Sequence, residues 1–193
     1  MNTNGIQEFV IKNMVCSRCI KVVRENLESI GLEVIDVRLG KVKVRIPKGR
    51  DVIDEMEKVL QKDDFSIARN KDEALCEKIK LALINLLSDL PVNINLKLSD
   101  YLVKELHKDY GSLSKTFSRI HNITLERYYI QLRIEKAKEL IEYGEMNFSE
   151  IAFTLGYHHL NHLSSQFKQV TGMSMTEYKT AAIKYRDPLN RIM

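Results

Sequence analysis

Two cysteines three positions apart are the residues of this chain best suited to chemistry. Cys16 and Cys19 follow an alternating stretch, Gln7 to Met14, and precede a helical apolar pattern that ends near Gly31. A cysteine at the start of a helix meets unpaired backbone amides and the positive end of the helix dipole, which lower the pKa of the thiol. Thiolates are preferred by soft metal ions, so the pair suits a low-coordinate Cu(I) site.

Other uses of the cysteine pair are a dithiol redox switch and a purely structural pair. A structural zinc site normally takes four ligands, and no second Cys or His pair lies nearby in the sequence. Cys76 lies on a different predicted helix and is expected to be a small packed residue. Three cysteines do not describe a disulfide framework, and this favours a reducing, cytoplasmic location.

The cysteine pair belongs to a predicted small domain, residues 1–70. After the first strand and helix, the pattern predicts strands at Leu32 to Val37 and Lys41 to Ile46. A second helix around Val52 to Leu60 and a last strand at Phe65 to Ala68 follow. The resulting order is βαββαβ, a ferredoxin-like arrangement.

This first domain resembles the heavy-metal-associated domain, the fold of copper chaperones and of the metal-binding modules of copper-pumping ATPases. The resemblance rests on the motif Met14-x-Cys16-x-x-Cys19, on the order of strands and helices, and on Phe65 before the last strand. It departs from the family at Asn13, which replaces a glycine. The resemblance implies that Cys16 and Cys19 bind Cu(I), whereas Met14 is expected to pack beneath the loop.

A further apolar pattern predicts a connecting helix within residues 71–95. Its apolar positions form a broad stripe that must end near Leu90, because Pro91 cannot continue a helix. The stripe needs a partner. It either packs against a flanking domain of the same chain or pairs with a second copy to form a homodimer.

The stretch from Ser149 to Tyr178 predicts two short helices around a tight turn at Gly156, with Ser149 as the first helix cap. A helical hairpin buried in a bundle would have the same periodicity. The run E-I-A-x-x-L-G-Y, then L-S-x-x-F-K, then T-G-M-S-x-x-E-Y closely resembles the C-terminal signature of AraC/XylS-family transcription regulators.

An upstream repeat supports this resemblance. Leu113 to Phe117 corresponds to Leu163 to Phe167, and a long predicted helix, Leu125 to Ile141, lies between them. At about 1.5 Å per residue, that helix is long enough to hold two recognition helices near one DNA turn apart. Residues 96–185 are therefore predicted to form an all-α double helix-turn-helix domain, followed by a tail at 186–193.

The resemblance implies that two helices, about Tyr110 to His121 and about His159 to Val170, enter successive major grooves of double-stranded DNA. The residues implied to contact DNA are Ser112, Ser114, Lys115 and Arg119 in the first helix, and Leu160, Asn161, Ser164, Ser165 and Lys168 in the second.

These residues are expected to have different roles. Lys115 suits the acceptors of guanine and Asn161 the edge of adenine, whereas Lys168 is better placed for a phosphate. Many relatives carry Arg where this chain has Ser165. The second helix is therefore expected to discriminate less between bases and to depend more on DNA shape.

Other classes of function are disfavoured. The sequence has no Gly-rich phosphate loop, nucleophile elbow or paired carboxylate motif, so we expect no enzyme. His158, His159 and His162 are expected to face solvent or DNA and not a metal. No run of about 18 apolar residues occurs, so we expect no membrane association. A net charge of +4 decides little by itself.

Together these patterns predict an α+β, cytoplasmic, sequence-specific transcription regulator that responds to Cu(I). The alternatives are a copper-binding chaperone or buffer, and a regulator switched by dithiol oxidation.

Overall fold

The computed structural model describes residues 5–47, 49, 51–93, 95, 97–182, 185–187 and 192. The chain forms two compact units, Met1–Leu81 and Ala82–Met193. The division between the units falls inside a single helix, which the sequence pattern had placed in a separate connecting segment.

The described residues of the first unit begin with four strands and two helices, in the order that the periodicity predicts. The elements are β1 (Ile6–Lys12), α1 (Ser17–Ser29), β2 (Glu33–Arg38), β3 (Lys41–Arg45), α2 (Ile53–Leu60), a 3₁₀ turn (Gln61–Asp63) and β4 (Ser66–Ile67). The strands form one sheet in the order β2-β3-β1-β4, and all neighbours are antiparallel.

Alternation along the strands decides which side of the sheet is buried. In β3, Val42 and Val44 are buried while Lys43 between them is exposed, as period-two patterning requires. These valines join a core with the buried faces of α1 and α2, which includes Val23, Leu27, Met56 and Leu60. The core fixes α1, and with it the two cysteines at the start of α1.

The connecting helix, α3, runs from Lys71 to Ser88 and ends before Pro91, as expected. Its apolar face is covered by the chain itself; the buried residues are Cys76, Ile79, Ala82, Leu83, Ile84 and Leu87. Two charged residues, Glu77 and Lys80, are buried on the same helix and form an ion pair at 2.8 Å. The hydrophobic pattern did not indicate that pair.

The described residues of the second unit form six further helices. They are α4 (Leu98–Leu106), α5 (Tyr110–His121), α6 (Leu125–Tyr143), α7 (Phe148–Thr154), α8 (Leu160–Thr171) and α9 (Met175–Thr180). The long helix α6 is in contact with α5, α7, α8 and α9. It therefore supports both pairs of short helices.

Arg186 and Asp187, at the start of the predicted tail, are held against α6. Arg186 pairs with Glu139 at 2.8 Å and with Glu142 at 3.5 Å. The backbone N–H of Asp187 donates to the carboxylate of Glu135 at 3.0 Å. The described part of the predicted tail is thus bound to the second unit.

Candidate functional site

The first helix pair of the second unit is formed by α4 and α5. α4 ends at His107, whose φ of 52° turns the chain sharply. Asp109 then caps α5, because its carboxylate accepts a hydrogen bond from the backbone N–H of Ser112 at 2.8 Å. The observed bounds of α5, Tyr110–His121, are those expected for the first recognition helix.

The second helix pair is formed by α7 and α8. Asn147, and not Ser149, caps α7: its side chain accepts from the backbone N–H of Glu150, whose carboxylate accepts in return from the backbone N–H of Asn147. This reciprocal pair is a capping box. The expectation for Ser149 was wrong by two residues, because the residue three positions before Glu150 is Asn147.

Gly156 makes the turn between α7 and α8 tight. Its φ is +77°, a conformation that side chains with a Cβ rarely adopt. A Cβ at this position would lie 3.1 Å from Cγ1 of Val92. A glycine at this position therefore suits both the backbone turn and the close approach of the segment that contains Val92.

The two helix pairs anchor their second helices in the same way. Leu113 and Phe117 in α5, and Leu163 and Phe167 in α8, are all fully buried. The Phe117 ring lies 5.2 Å from the ring of Tyr128, and the Phe167 ring lies 5.6 Å from that of Tyr178. The internal repeat thus orients both helices by equivalent side chains.

The residues expected to contact DNA lie away from these anchors. Six are exposed and three are half-buried; the exposed ones are Ser112, Lys115, Arg119, Asn161, Ser165 and Lys168, and the half-buried ones are Ser114, Leu160 and Ser164. The first turns of α5 and α8, which the structure describes completely, contain no acidic residue. α8 has no side-chain cap among the described residues, so its N-terminal amides are compatible with a nearby phosphate, whereas in α5 the carboxylate of Asp109 already accepts from the N–H of Ser112.

An arginine that the sequence pattern missed lies beside the second recognition helix. The guanidinium carbon of Arg133, on α6, is 4.1 Å from the ring centre of Tyr157 and 4.7 Å from that of Tyr129. Tyr157 in turn donates its hydroxyl to Gln166 of α8 at 2.6 Å. Burial raises the pKa of Tyr157 to about 12, so it remains a neutral donor near pH 7.

The two cysteines form a second candidate site, in the first unit. Cys16 is the N-cap of α1 and is exposed, Cys19 is half-buried, and their sulfur atoms are 3.5 Å apart. Burial opposes ionisation of Cys16, but hydrogen bonds from the backbone and the thiol of Cys19 bring its pKa below the ordinary value. For Cys19, burial raises the pKa, so the expected thiol activation holds for Cys16 only.

No third His, Cys, Asp or Glu ligand accompanies the two thiols in the part of the chain that the structure describes. No cluster of three or more His, Cys, Asp and Glu side chains occurs among those residues, so the histidines His158, His159 and His162 form none either. Met14 is buried beneath the loop, as expected for a packing residue. Cys76 is buried as well.

The loop that carries the cysteines is tied to α3. Asn13 has a φ of 70°, and its backbone N–H donates to the carboxylate of Glu77 at 3.2 Å. The side chain of Asn13 donates to the carbonyl of Asp64 at 2.8 Å. A second contact joins the end of β1 to the same helix, because Lys12 pairs with Glu73 at 3.0 Å.

Comparison with known proteins finds a similarity in the second unit. Residues 102–181 match a family model described as a helix-turn-helix domain. This part of the chain is therefore similar to helix-turn-helix domains. The chain is also similar to an uncharacterized HTH-type transcriptional regulator, YdeC, of Bacillus subtilis, with 31% identity over 74 residues. That similarity covers 36% of this chain and 25% of the relative.

Two solved structures are similar to about half of the chain. The C-terminal domain of AraT, a response regulator from Geobacillus stearothermophilus, has 26% identity and a TM-score of 0.47, covering 56% of this chain and 90% of that one. A DNA-binding transcriptional dual regulator from Escherichia coli K-12 has 20% identity and a TM-score of 0.46, covering 54% and 88%.

No helix among the described residues is both long and apolar enough to cross a membrane.

Proposed function

We propose that this chain is a transcription regulator that binds double-stranded DNA through α5 and α8. The observation that carries the proposal is the repeated arrangement of the second unit: two helices of 12 residues, each anchored by a buried Leu and Phe, present polar and basic faces outward. One face of such a helix fits the major groove. α6 supports both helices, which is what simultaneous binding to one duplex requires.

Within this pair, α5 is proposed to make the more discriminating contacts. It carries the exposed cations Lys115 and Arg119, whereas the position equivalent to Lys115 in α8 is Ser165. A lysine can donate to O6 and N7 of guanine, but a serine discriminates weakly between bases. Asn161 in α8 is proposed to contact adenine, and Lys168 to contact a phosphate.

Replacing Lys115 with alanine is expected to weaken binding to the preferred sequence by about 1–3 kcal/mol and to relax specificity at one base pair. The preferred sequence is obtained by selection from a random DNA pool, and affinities are measured by fluorescence anisotropy. Ser165→Ala is the matched comparison in α8; it is expected to weaken binding less than Lys115→Ala and to leave the base preference unchanged, because a serine discriminates weakly between bases.

If selection enriches no sequence and binding to DNA does not depend on salt, the helix-turn-helix proposal is wrong. A copper chaperone or buffer, in which the second unit only tethers the metal domain, would then be favoured.

We further propose that the first unit is a ferredoxin-like domain of the heavy-metal-associated type, with Cys16 and Cys19 as ligands of a soft metal ion, Cu(I). Its strand order and the position of the pair at the start of α1 support this. Two sulfur atoms 3.5 Å apart can contact one ion at metal–sulfur distances of about 2.3 Å. With no third protein ligand among the described residues, the site favours an ion that accepts low coordination.

The hydrogen bond between Asn13 and Glu77 supports a regulatory link. It lies three residues before Cys16 and ends on the same helix that enters the second unit at Ala82. A change in the cysteine loop would act on α3 through this bond. The buried apolar face of α3 favours this route over a homodimer formed through α3, which would need that face to be exposed.

Cu(I) is expected to change the affinity for DNA in the parent protein and to have no effect in a Cys16→Ser/Cys19→Ser variant. By linkage, DNA must change the Cu(I) affinity by the same factor. Anisotropy titrations of DNA under reductant, with and without Cu(I), measure the change in DNA affinity for the parent and for the variant. Equal DNA affinities for the parent and the variant, each with and without Cu(I), would contradict metal regulation. If the DNA affinity of the parent changes on oxidation but the purified protein retains no copper, the dithiol switch is indicated instead.

A further inference from the structure

A groove on the second unit contains several hydrogen-bond donors and no acid. It has a volume of about 360 Å³ and is lined by Arg133, Gly156, Tyr157, His158, His162, Ser165 and Gln166. Three of these residues, His158, His162 and Ser165, are exposed. Ser165 is also one of the positions expected to face DNA, so the groove adjoins the surface of α8 proposed to enter the major groove.

Arg133 is the permanent charge of this groove. Its guanidinium is held between the rings of Tyr129 and Tyr157 at 4.7 and 4.1 Å. This stacking fixes the plane of the guanidinium but does not use its N–H groups. Nε of Arg133 is buried and has no hydrogen-bond partner within the described ranges. Because Nε is enclosed, a ligand in the groove would be reached through the terminal N–H groups of the guanidinium, whose plane the stacking fixes.

The chemistry of the groove favours a phosphate. A guanidinium presents a planar set of donors that matches phosphate oxygens, and its charge strengthens those bonds. The hydroxyl of Ser165 adds a donor, and its short side chain does not fill the groove. A base edge would need acceptors as well as donors at fixed positions, whereas the fixed charge beside α8 suits a group that carries a full negative charge.

We propose that Arg133, with Ser165 and His162 at the rim of the groove, binds a backbone phosphate of the DNA that α8 contacts. This rests on the proposed DNA binding. The contact positions α8 on the DNA without reading the base sequence. It also gives the α7–α8 pair a cationic contact from α6, although Ser165 of α8 itself carries no charge.

Salt dependence tests the proposal, since each neutralised phosphate contributes about 0.9 to the slope of log K against log salt. The probe is a random-sequence duplex three helical turns long, and the full chain is used. Arg133→Gln is expected to make this negative slope shallower by about 0.9. Lys136→Gln removes the same charge from the same helix, but Lys136 is paired with Glu139 at 2.8 Å, so its slope should not change.

Arg133→Lys separates the contact from a structural role, because it retains the charge but loses the planar stacking. It is expected to keep the parental slope. If Arg133→Gln does not fold by circular dichroism, Arg133→Met replaces it and is expected to show the same reduction in slope. A slope unchanged in Arg133→Gln, or reduced equally in Arg133→Lys, would overturn the phosphate contact. Absence of salt-dependent binding in the parent would instead overturn the proposed DNA binding, and this inference with it.

Discussion

Replacing Glu77 with alanine is expected to lower the free energy of unfolding by about 3–5 kcal/mol. The ammonium of Lys80 would lose its partner while its side chain remains only 3% exposed. The backbone N–H of Asn13 would lose its acceptor at the same time. Urea denaturation followed by circular dichroism measures the change.

Two comparisons make the cause of this loss specific. Glu25→Ala removes an acid from an ion pair with Lys21 whose side chains are 60% and 79% exposed, and should change stability by less than about 1 kcal/mol. The double variant Glu77→Leu/Lys80→Met replaces the buried pair by apolar groups and is expected to recover most of the loss. A double variant as unstable as Glu77→Ala would show that the unpaired lysine is not the cause.

The double variant also separates stability from regulation. It should fold and retain both cysteines, yet it lacks the carboxylate to which the cysteine loop is bonded. Cu(I) should therefore still bind to it, while its effect on DNA affinity should be smaller than in the parent. An undiminished Cu(I) effect would mean that the metal signal does not pass through the bond from Asn13 to Glu77.

The elements set by apolar periodicity were predictable from the sequence. The alternation of Val42 and Val44 placed β3, and Leu113 with Phe117 indicated the helix α5, whose bounds came from the family resemblance. α8 begins one residue later than predicted, at Leu160, because the backbone of His159 is still extended. In each case one buried face determines the element, so a regular spacing of apolar residues is sufficient evidence for it.

The polar features were harder to predict because they depend on pairing between distant elements. Glu77 and Lys80 resemble solvated helix residues in the sequence, and only the fold shows that they are buried. Arg133 acquires its position from Tyr157, which lies 24 residues later on the other side of α7. The cap at Asn147 differs from these features, because the sequence contains a local signal for it. Glu150, three residues later, completes the pattern of a capping box.

Removing either recognition-helix anchor, by Phe117→Ala or Phe167→Ala, is expected to cost about 3–5 kcal/mol of stability. Both rings are fully buried, and each contacts another aromatic ring, so little collapse around the cavity is possible. The corresponding leucine variants keep most of the volume and should lose less than about 1.5 kcal/mol. Urea denaturation gives these values.

The two alanine variants should nevertheless differ in DNA binding, because the helices they anchor carry different side chains. Loss of the Phe117 anchor displaces Lys115 and Arg119, the cations of the helix proposed to discriminate between bases. Loss of the Phe167 anchor displaces Asn161 and Ser165, for which weaker readout is expected. At equal loss of stability, Phe117→Ala should therefore reduce the preference for the selected sequence over random DNA more strongly. Equal losses of specificity, measured by anisotropy, would show that both helices discriminate alike and that the serine at 165 does not weaken the second half.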